Sequence, residues 1–106
     1  MPDVVFVYGT LTHPDTRKKV VGRALTGIQD SLAGYRLEYQ GMLPYPAATE
    51  APDSLLAGIR LDHITDDDLR RLDTYEGIYF VRIQVMLTSG IQAWLYVGNP
   101  RYTSLP

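Results

Sequence analysis

The stretch Leu72-Asp73-Thr74-Tyr75-Glu76-Gly77-Ile78-Tyr79 joins a helical pattern to a strand pattern, and the fold class turns on that junction. Upstream of it, Thr65 with Asp68 three positions on has the form of a capping box, and Ile64 and Leu69 have the spacing of a hydrophobic staple. Asp66, Asp67 and Asp68 sit where the positive end of a helix dipole favours carboxylates. Leu69 and Leu72 recur at i, i+3 as an inward stripe. The pattern predicts a helix from Thr65 to Tyr75, with Glu76 at its negative end and Gly77 as the break. Downstream, Val81, Ile83, Val85 and Leu87 alternate at period two. Ser89-Gly90 reads as a two-residue turn, and Ile91, Ala93, Leu95 and Val97 alternate back as the second strand of a hairpin.

Working outward, Val4-Val5-Phe6-Val7-Tyr8 is a continuous β-branched and aromatic run, the pattern of a strand covered on both faces. Gly9 ends it. Thr12, His13 and Pro14 read as the start of a short helix over Asp15 to Val21 that stops at Gly22. Ala33 to Tyr39 alternates, with Tyr35, Leu37 and Tyr39 on one face. Gly41 and the two prolines of Leu43-Pro44-Tyr45-Pro46 form a loop, since they cannot continue a central strand. Leu55 to Leu61 is the next strand, with Gly58 expected at a bulge. About six strands and two short helices in mixed order predict an α+β fold, a small mixed sheet strongly curved or closed into a β-barrel. Residues 1–106 read as a single domain, with 99–106 as a tail.

Composition narrows the chemistry. A length of 106 residues and an apolar share of 45% suit one folded core. With no cysteine, disulfides, thiolate metal sites and cysteine nucleophiles are excluded. A formal charge of −2 makes no electrostatic case for nucleic acid or an anionic membrane. The apolar start is far shorter than a signal or membrane segment, so a soluble cytoplasmic domain is the expectation. His13 and His63 lack metal-ligand spacing, so no metal or other cofactor is expected. The serines lack a Gly-x-Ser-x-Gly elbow, and Gly9 lacks the glycines and lysine of a phosphate loop.

Two features remain that could do chemistry. The helix end and the flanking Tyr75 and Tyr79 would both disfavour the Glu76 carboxylate, raising its pKa toward the range useful for a base. The alternative is a solvated glutamate with ordinary titration. Tyr8-Gly9-Thr10-Leu11, directly after the buried strand, could form a nest of N–H groups for a carboxylate or carbonyl oxygen, with Gly9 supplying conformational freedom. It could equally be a plain tight turn. Together they would make the minimum kit for acid/base work at a carbonyl. Tyr45, between two prolines, is a candidate pocket wall. Tyr35, Tyr39 and Tyr96 read as strand-face packing, Arg82 as an outward strand arginine, and Arg17-Lys18-Lys19 as a solvated helix face near the turn.

These stretches resemble the gamma-glutamylcyclotransferase-like superfamily, and more closely its gamma-glutamylamine cyclotransferase branch. The residues that carry the resemblance are Phe6-Val7-Tyr8-Gly9-Thr10-Leu11, Tyr45-Pro46-Ala47, Gly58, and Leu72-Asp73-Thr74-Tyr75-Glu76-Gly77 ahead of Tyr79. Their order and spacing agree from about Val4 to Val97. The resemblance implies a barrel-like α+β fold with a cavity, and Glu76 as the catalytic acid/base. It also implies that Tyr8, Gly9, Thr10, Leu11, Tyr45 and Tyr79 lie around a small-molecule substrate with a gamma-glutamyl-like group. The implied reaction closes that group to 5-oxoproline and expels an amine. Tyr-Gly-Thr-Leu departs from the Tyr-Gly-Ser-Asn-type turn of the enzyme acting on gamma-glutamyl amino acids. The other reading of the same cavity is a non-catalytic module that binds a small carboxylate.

Overall fold

The computed structural model describes residues 2–103. Among them, five strands and three helices follow the order β1 Val5–Val7, α1 Pro14–Val21, β2 Gly27–Glu38, β3 Ala47–Leu61, α2 Asp66–Glu76, β4 Phe80–Met86, β5 Gln92–Gly98 and α3 Pro100–Thr103. A single 3-10 turn, Thr10–Thr12, links β1 to α1. The sheet order is β2-β3-β1-β5-β4, with β1 antiparallel to β3 and parallel to β5.

The central strand is covered on both faces, as its unbroken apolar run requires. Val5 and Val7 pack with Leu61, Leu69, Leu72 and Trp94 beneath the helices, while Val4 and Phe6 pack with Leu32, Leu56 and Leu95 on the opposite face. The α2 boundaries follow from the sequence. Thr65 Oγ1 accepts from Asp68 N at 3.1 Å and Asp68 Oδ2 accepts from Thr65 N at 3.0 Å, closing the capping box. Arg23 donates to the same Asp68 carboxylate at 2.5 Å. At the other end, Gly77 takes φ +74°, a conformation other residues adopt only with strain, and turns the chain away just after Glu76.

Several expectations need correction. There are five strands rather than about six, and the sheet does not close into a barrel. The mixed α+β class holds, and the sheet is strongly bent. From Ala33 to Tyr35, β2 advances two residues while β3 moves five, from Leu55 to Glu50, so residues 51–54 with Pro52 loop out of register. Past this break β3 bends until Ala48 lies parallel to Val97 of β5, although its other end runs antiparallel to β1. That bend splices β3 to β5 and leaves β2 and β4 as edges. Across the gap, the β4–β5 turn reaches β2, where Thr88 N donates to Ser31 O at 2.9 Å and Ser89 Oγ to Asp30 at 2.6 Å.

The bulge therefore lies near Gly34, at φ +84°, and not at Gly58, which pairs in register with Asp30. Gly58 is small for another reason: a Cβ there would lie 2.5 Å from the Phe6 ring and from Val7 O. The hairpin loop has three residues rather than two. Gly90 N bonds Leu87 O, Leu87 N bonds Ile91 O, and Gly90 sits at φ +87°. The first helix is capped by the His13 backbone, while the Thr12 hydroxyl bonds Gly9 O instead. Of the expected tail, Pro100–Thr103 is a short helix whose Tyr102 ring meets Tyr79 edge-on; residues 104–106 lie outside the described residues.

Candidate active site

Where β1 ends and β3 swings over to β5, the two strands part and leave a cavity of about 520 Å³. Its floor is Phe6, Val7, Tyr8 and Tyr96. One wall is the turn Gly9-Thr10-Leu11, another the end of α2 with Tyr75 and Glu76, and Leu37, Tyr45, Pro46, Phe80 and His13 complete the lining. The volume falls within the range of small-molecule sites. Aromatic side chains dominate, and Glu76 is the sole carboxylate among the lining residues.

Glu76 is half-buried, on the last turn of α2. Burial among these aromatics pushes its pKa from the ordinary 4.5 up to about 7. Among the described residues no donor bonds its carboxylate, so its lone pairs remain free for a ligand. The helix end expected to add to the shift is not needed to account for it. Next to it, the floor is fixed by phenols. Tyr8 donates to Tyr96 O at 2.5 Å and accepts from Ala48 N at 3.3 Å. Burial raises the Tyr8 pKa to about 12, and the charge of Glu76 acts in the same direction. Burial likewise raises that of Tyr96, with its bond to Asp73 at 2.6 Å adding to the effect. Both phenols therefore stay protonated at neutral pH.

The turn opposite is a 3-10 helix with bonds from Thr12 N to Gly9 O and from His13 N to Thr10 O. The N–H groups of Thr10 and Leu11 precede the first intrahelical donor, so both lie outside that ladder. The Thr10 hydroxyl pairs with the Tyr75 hydroxyl at 2.6 Å, clasping the turn to α2 across the cavity mouth. Gly9 takes φ −119° and ψ −131°, neither helical nor extended, and a Cβ there would meet nothing within 4 Å.

The structure thus brings together Glu76, Tyr8, Gly9, Thr10, Leu11 and Tyr45. Tyr79 is not in this lining; its ring lies 5.0 Å from that of Tyr102. Tyr75 and Tyr96 were missed as wall residues, although Tyr75 directly precedes Glu76. Arg82 pairs with neither Glu76 nor the cavity. Its fork grips Asp73 at 2.7 and 3.1 Å while the guanidinium lies 4.4 Å over the Trp94 ring. Asp73, held by both Arg82 and Tyr96, ties the turn of α2 that carries Glu76 to β4 and β5. Among the described residues no group of three or more His, Asp or Glu could hold a metal ion, and no helix is long and apolar enough to cross a membrane.

A profile of the family described as "Gamma-glutamyl cyclotransferase, AIG2-like" matches residues 5–105. AIG2-like protein D of Arabidopsis thaliana is 34% identical over 79% of this chain and 57% of its own length. Protein AIG2 A of the same plant is 32% identical over 83% of this chain and 53% of its own. The chain therefore spans about half the length of the curated relatives it matches. Among solved structures, an Arabidopsis thaliana protein determined in solution superposes with a TM-score of 0.79 at 24% identity, covering 95% of this chain and 67% of that one. A structure titled "Gamma-glutamyl cyclotransferase" superposes at 0.77 with 16% identity, covering 93% and 72%. These two likenesses establish the shared fold. With the profile spanning nearly the whole sequence, the chain belongs to the gamma-glutamyl cyclotransferase, AIG2-like family.

Proposed function

We propose that this protein cyclises a gamma-glutamyl group to 5-oxoproline and releases an amine or amino acid, with Glu76 as general acid and base. The observation that carries this reading is the Glu76 carboxyl, unpartnered and with its pKa raised to about 7, facing a cavity walled by the Thr10–Leu11 turn. Family membership supports it. A gamma-glutamyl group supplies its own nucleophile, so the protein must fold the chain into a ring-closing pose, move protons and bind oxygens.

In the proposed sequence, the substrate's neutral α-amino nitrogen attacks its own γ-carbonyl carbon. The C–N bond of the ring forms and the carbonyl electrons move to oxygen. Glu76 takes the proton released from the attacking nitrogen. As the carbonyl re-forms, the bond to the leaving nitrogen breaks and Glu76 returns that proton to it. A group with a pKa near 7 is suited to both roles at neutral pH. Tyr8 and Tyr96 position the floor, and the Thr10 and Leu11 N–H groups bind polar oxygens of the substrate.

The test is a panel of gamma-glutamyl amines and gamma-glutamyl amino acids assayed for 5-oxoproline release. Release from any of them, abolished in Glu76→Gln, supports the reading. No turnover by folded protein removes the reaction. If 5-oxoproline nevertheless binds, the cavity belongs to a non-catalytic module for small carboxylates.

A further inference from the structure

Arg17 is buried to 5% exposure on α1, although its neighbours Lys18 and Lys19 are exposed as a solvated helix face should be. Among the described residues no carboxylate pairs with it. Its fork bonds backbone carbonyls instead: Nε to Leu25 O at 2.9 Å, and Nη1 to Thr12 O at 2.9 Å and Leu11 O at 3.5 Å. Two of these carbonyls belong to the 3-10 turn at the cavity wall. Gly27 makes room for the guanidinium, since a Cβ there would lie 2.9 Å from Nη2.

A buried cation without an anion is costly, because its desolvation is offset only by dipoles. Two of those dipoles are the carbonyls of Leu11 and Thr12, whose N–H partners at Thr12 and His13 close the 3-10 turn, so the guanidinium pins the turn from behind and sets a full positive charge next to the Thr10 and Leu11 N–H groups that the ladder leaves unused. Such an arrangement favours an anionic oxygen on the cavity side. Glu76 is the lining's only carboxylate and, once ionised, repels such an oxygen. Lys18 and Lys19 are not among the lining residues.

We infer that Arg17 is a positioning residue that holds the Thr10–Leu11 turn as the receptor for the substrate's α-carboxylate and supplies the charge that makes it one. It acts through the turn and touches no substrate. The inference rests on the proposed reaction for its substrate, but its geometric half does not. Because the carboxylate keeps its charge throughout cyclisation, the interaction is equally strong in ground and transition states. Its loss raises KM and leaves kcat in place.

The experiment compares wild type, Arg17→Gln and Arg17→Lys. For a gamma-glutamyl compound that the wild type turns over, Arg17→Gln is expected to raise KM about tenfold or more, the scale of one lost charge-assisted interaction. Its kcat should stay within a few-fold. Arg17→Lys keeps the charge but cannot reach three carbonyls at once, so its KM should lie between. Amide hydrogen exchange at Thr12 and His13, whose bonds close the turn, should quicken in both variants. Unchanged KM with a lowered kcat per total protein would show only a smaller folded fraction and overturn the inference. So would unaltered exchange at the turn. If Arg17→Gln does not fold, Arg17→Lys alone decides by the same two readouts. If the wild type turns over none of the panel, the proposed reaction fails first. The inference is then judged by turn exchange and by 5-oxoproline titrated onto wild type and Arg17→Lys, where equal affinity overturns it.

Discussion

Replacing Glu76 by Gln separates catalysis from stability in one variant. A carboxyl whose folded pKa is raised favours the protonated state, so its contribution to stability is complete below the unfolded value near 4.5. That contribution is lost as pH climbs through about 7, where the folded carboxyl must ionise inside its aromatic pocket. At about 1.4 kcal/mol per pKa unit, the full rise from 4.5 to about 7 is worth about 3–3.5 kcal/mol at pH 8. Glutamine is neutral at every pH and forfeits nothing there. Glu76→Gln should therefore melt about 15 °C or more above wild type at pH 8, given about 4–8 °C per kcal/mol for a domain of this size. The two melting temperatures should converge as pH falls toward about 4. Turnover should fall about 10²–10⁴-fold, the usual contribution of a general acid/base, while 5-oxoproline still binds. Calorimetry across pH 4.5–8 beside 5-oxoproline release measures both. Equal melting temperatures at pH 8 would mean a solvated carboxylate with ordinary titration, and full activity would remove Glu76 from the mechanism.

Wild-type kcat/KM should rise with pH through about 7, because the base must be ionised to start the reaction; a flat profile from pH 6 to 8 contradicts this. Gly77→Ala forces a Cβ into φ +74° and should destabilise by about 1–2 kcal/mol, with a fall in activity as the Glu76 turn shifts; denaturant melts and rates check it. Asp68→Asn loses the ion pair to Arg23 and weakens the cap, and should cost about 1–3 kcal/mol at pH 7. The Arg23 bond holds the Asp68 carboxyl below its ordinary range, so the penalty should begin to shrink below about pH 4 and vanish only as pH falls through the lower value at which the folded carboxyl is protonated.

What the sequence made legible follows how local each determinant is. The α2 cap needs Thr65 and Asp68 three residues apart, and both β4 and β5 alternate within seven residues, so each could be read directly. The curvature of β3 could not. It comes from residues 51–54 slipping out of register against a β2 residue some seventeen positions earlier, and from Ala48 finding Val97. Arg17 was misread for a related reason. Its neighbours are exposed lysines, and only the packing of Leu25 and Gly27 across α1 buries it. The resemblance placed Tyr79 at the cavity, but Gly77 turns the chain between it and Glu76.

The cavity draws its floor from both ends of the chain: Tyr8 follows the first strand, Tyr96 lies in the last, and β1 pairs with β5 in parallel. Contacts so distant in sequence carry a large loop-closure entropy and form late. The two hairpins, β2–β3 and β4–β5, can pair locally while the chain is still incomplete. The docking of residues 4–8 between them must wait until β5 is made. During synthesis the site would thus be the last part of the domain to exist, and a nascent chain ending before Trp94 would present folded hairpins around a missing floor. Until then the apolar run Val4–Tyr8 has only β3 to pair with, and its other edge stays open to wrong pairing.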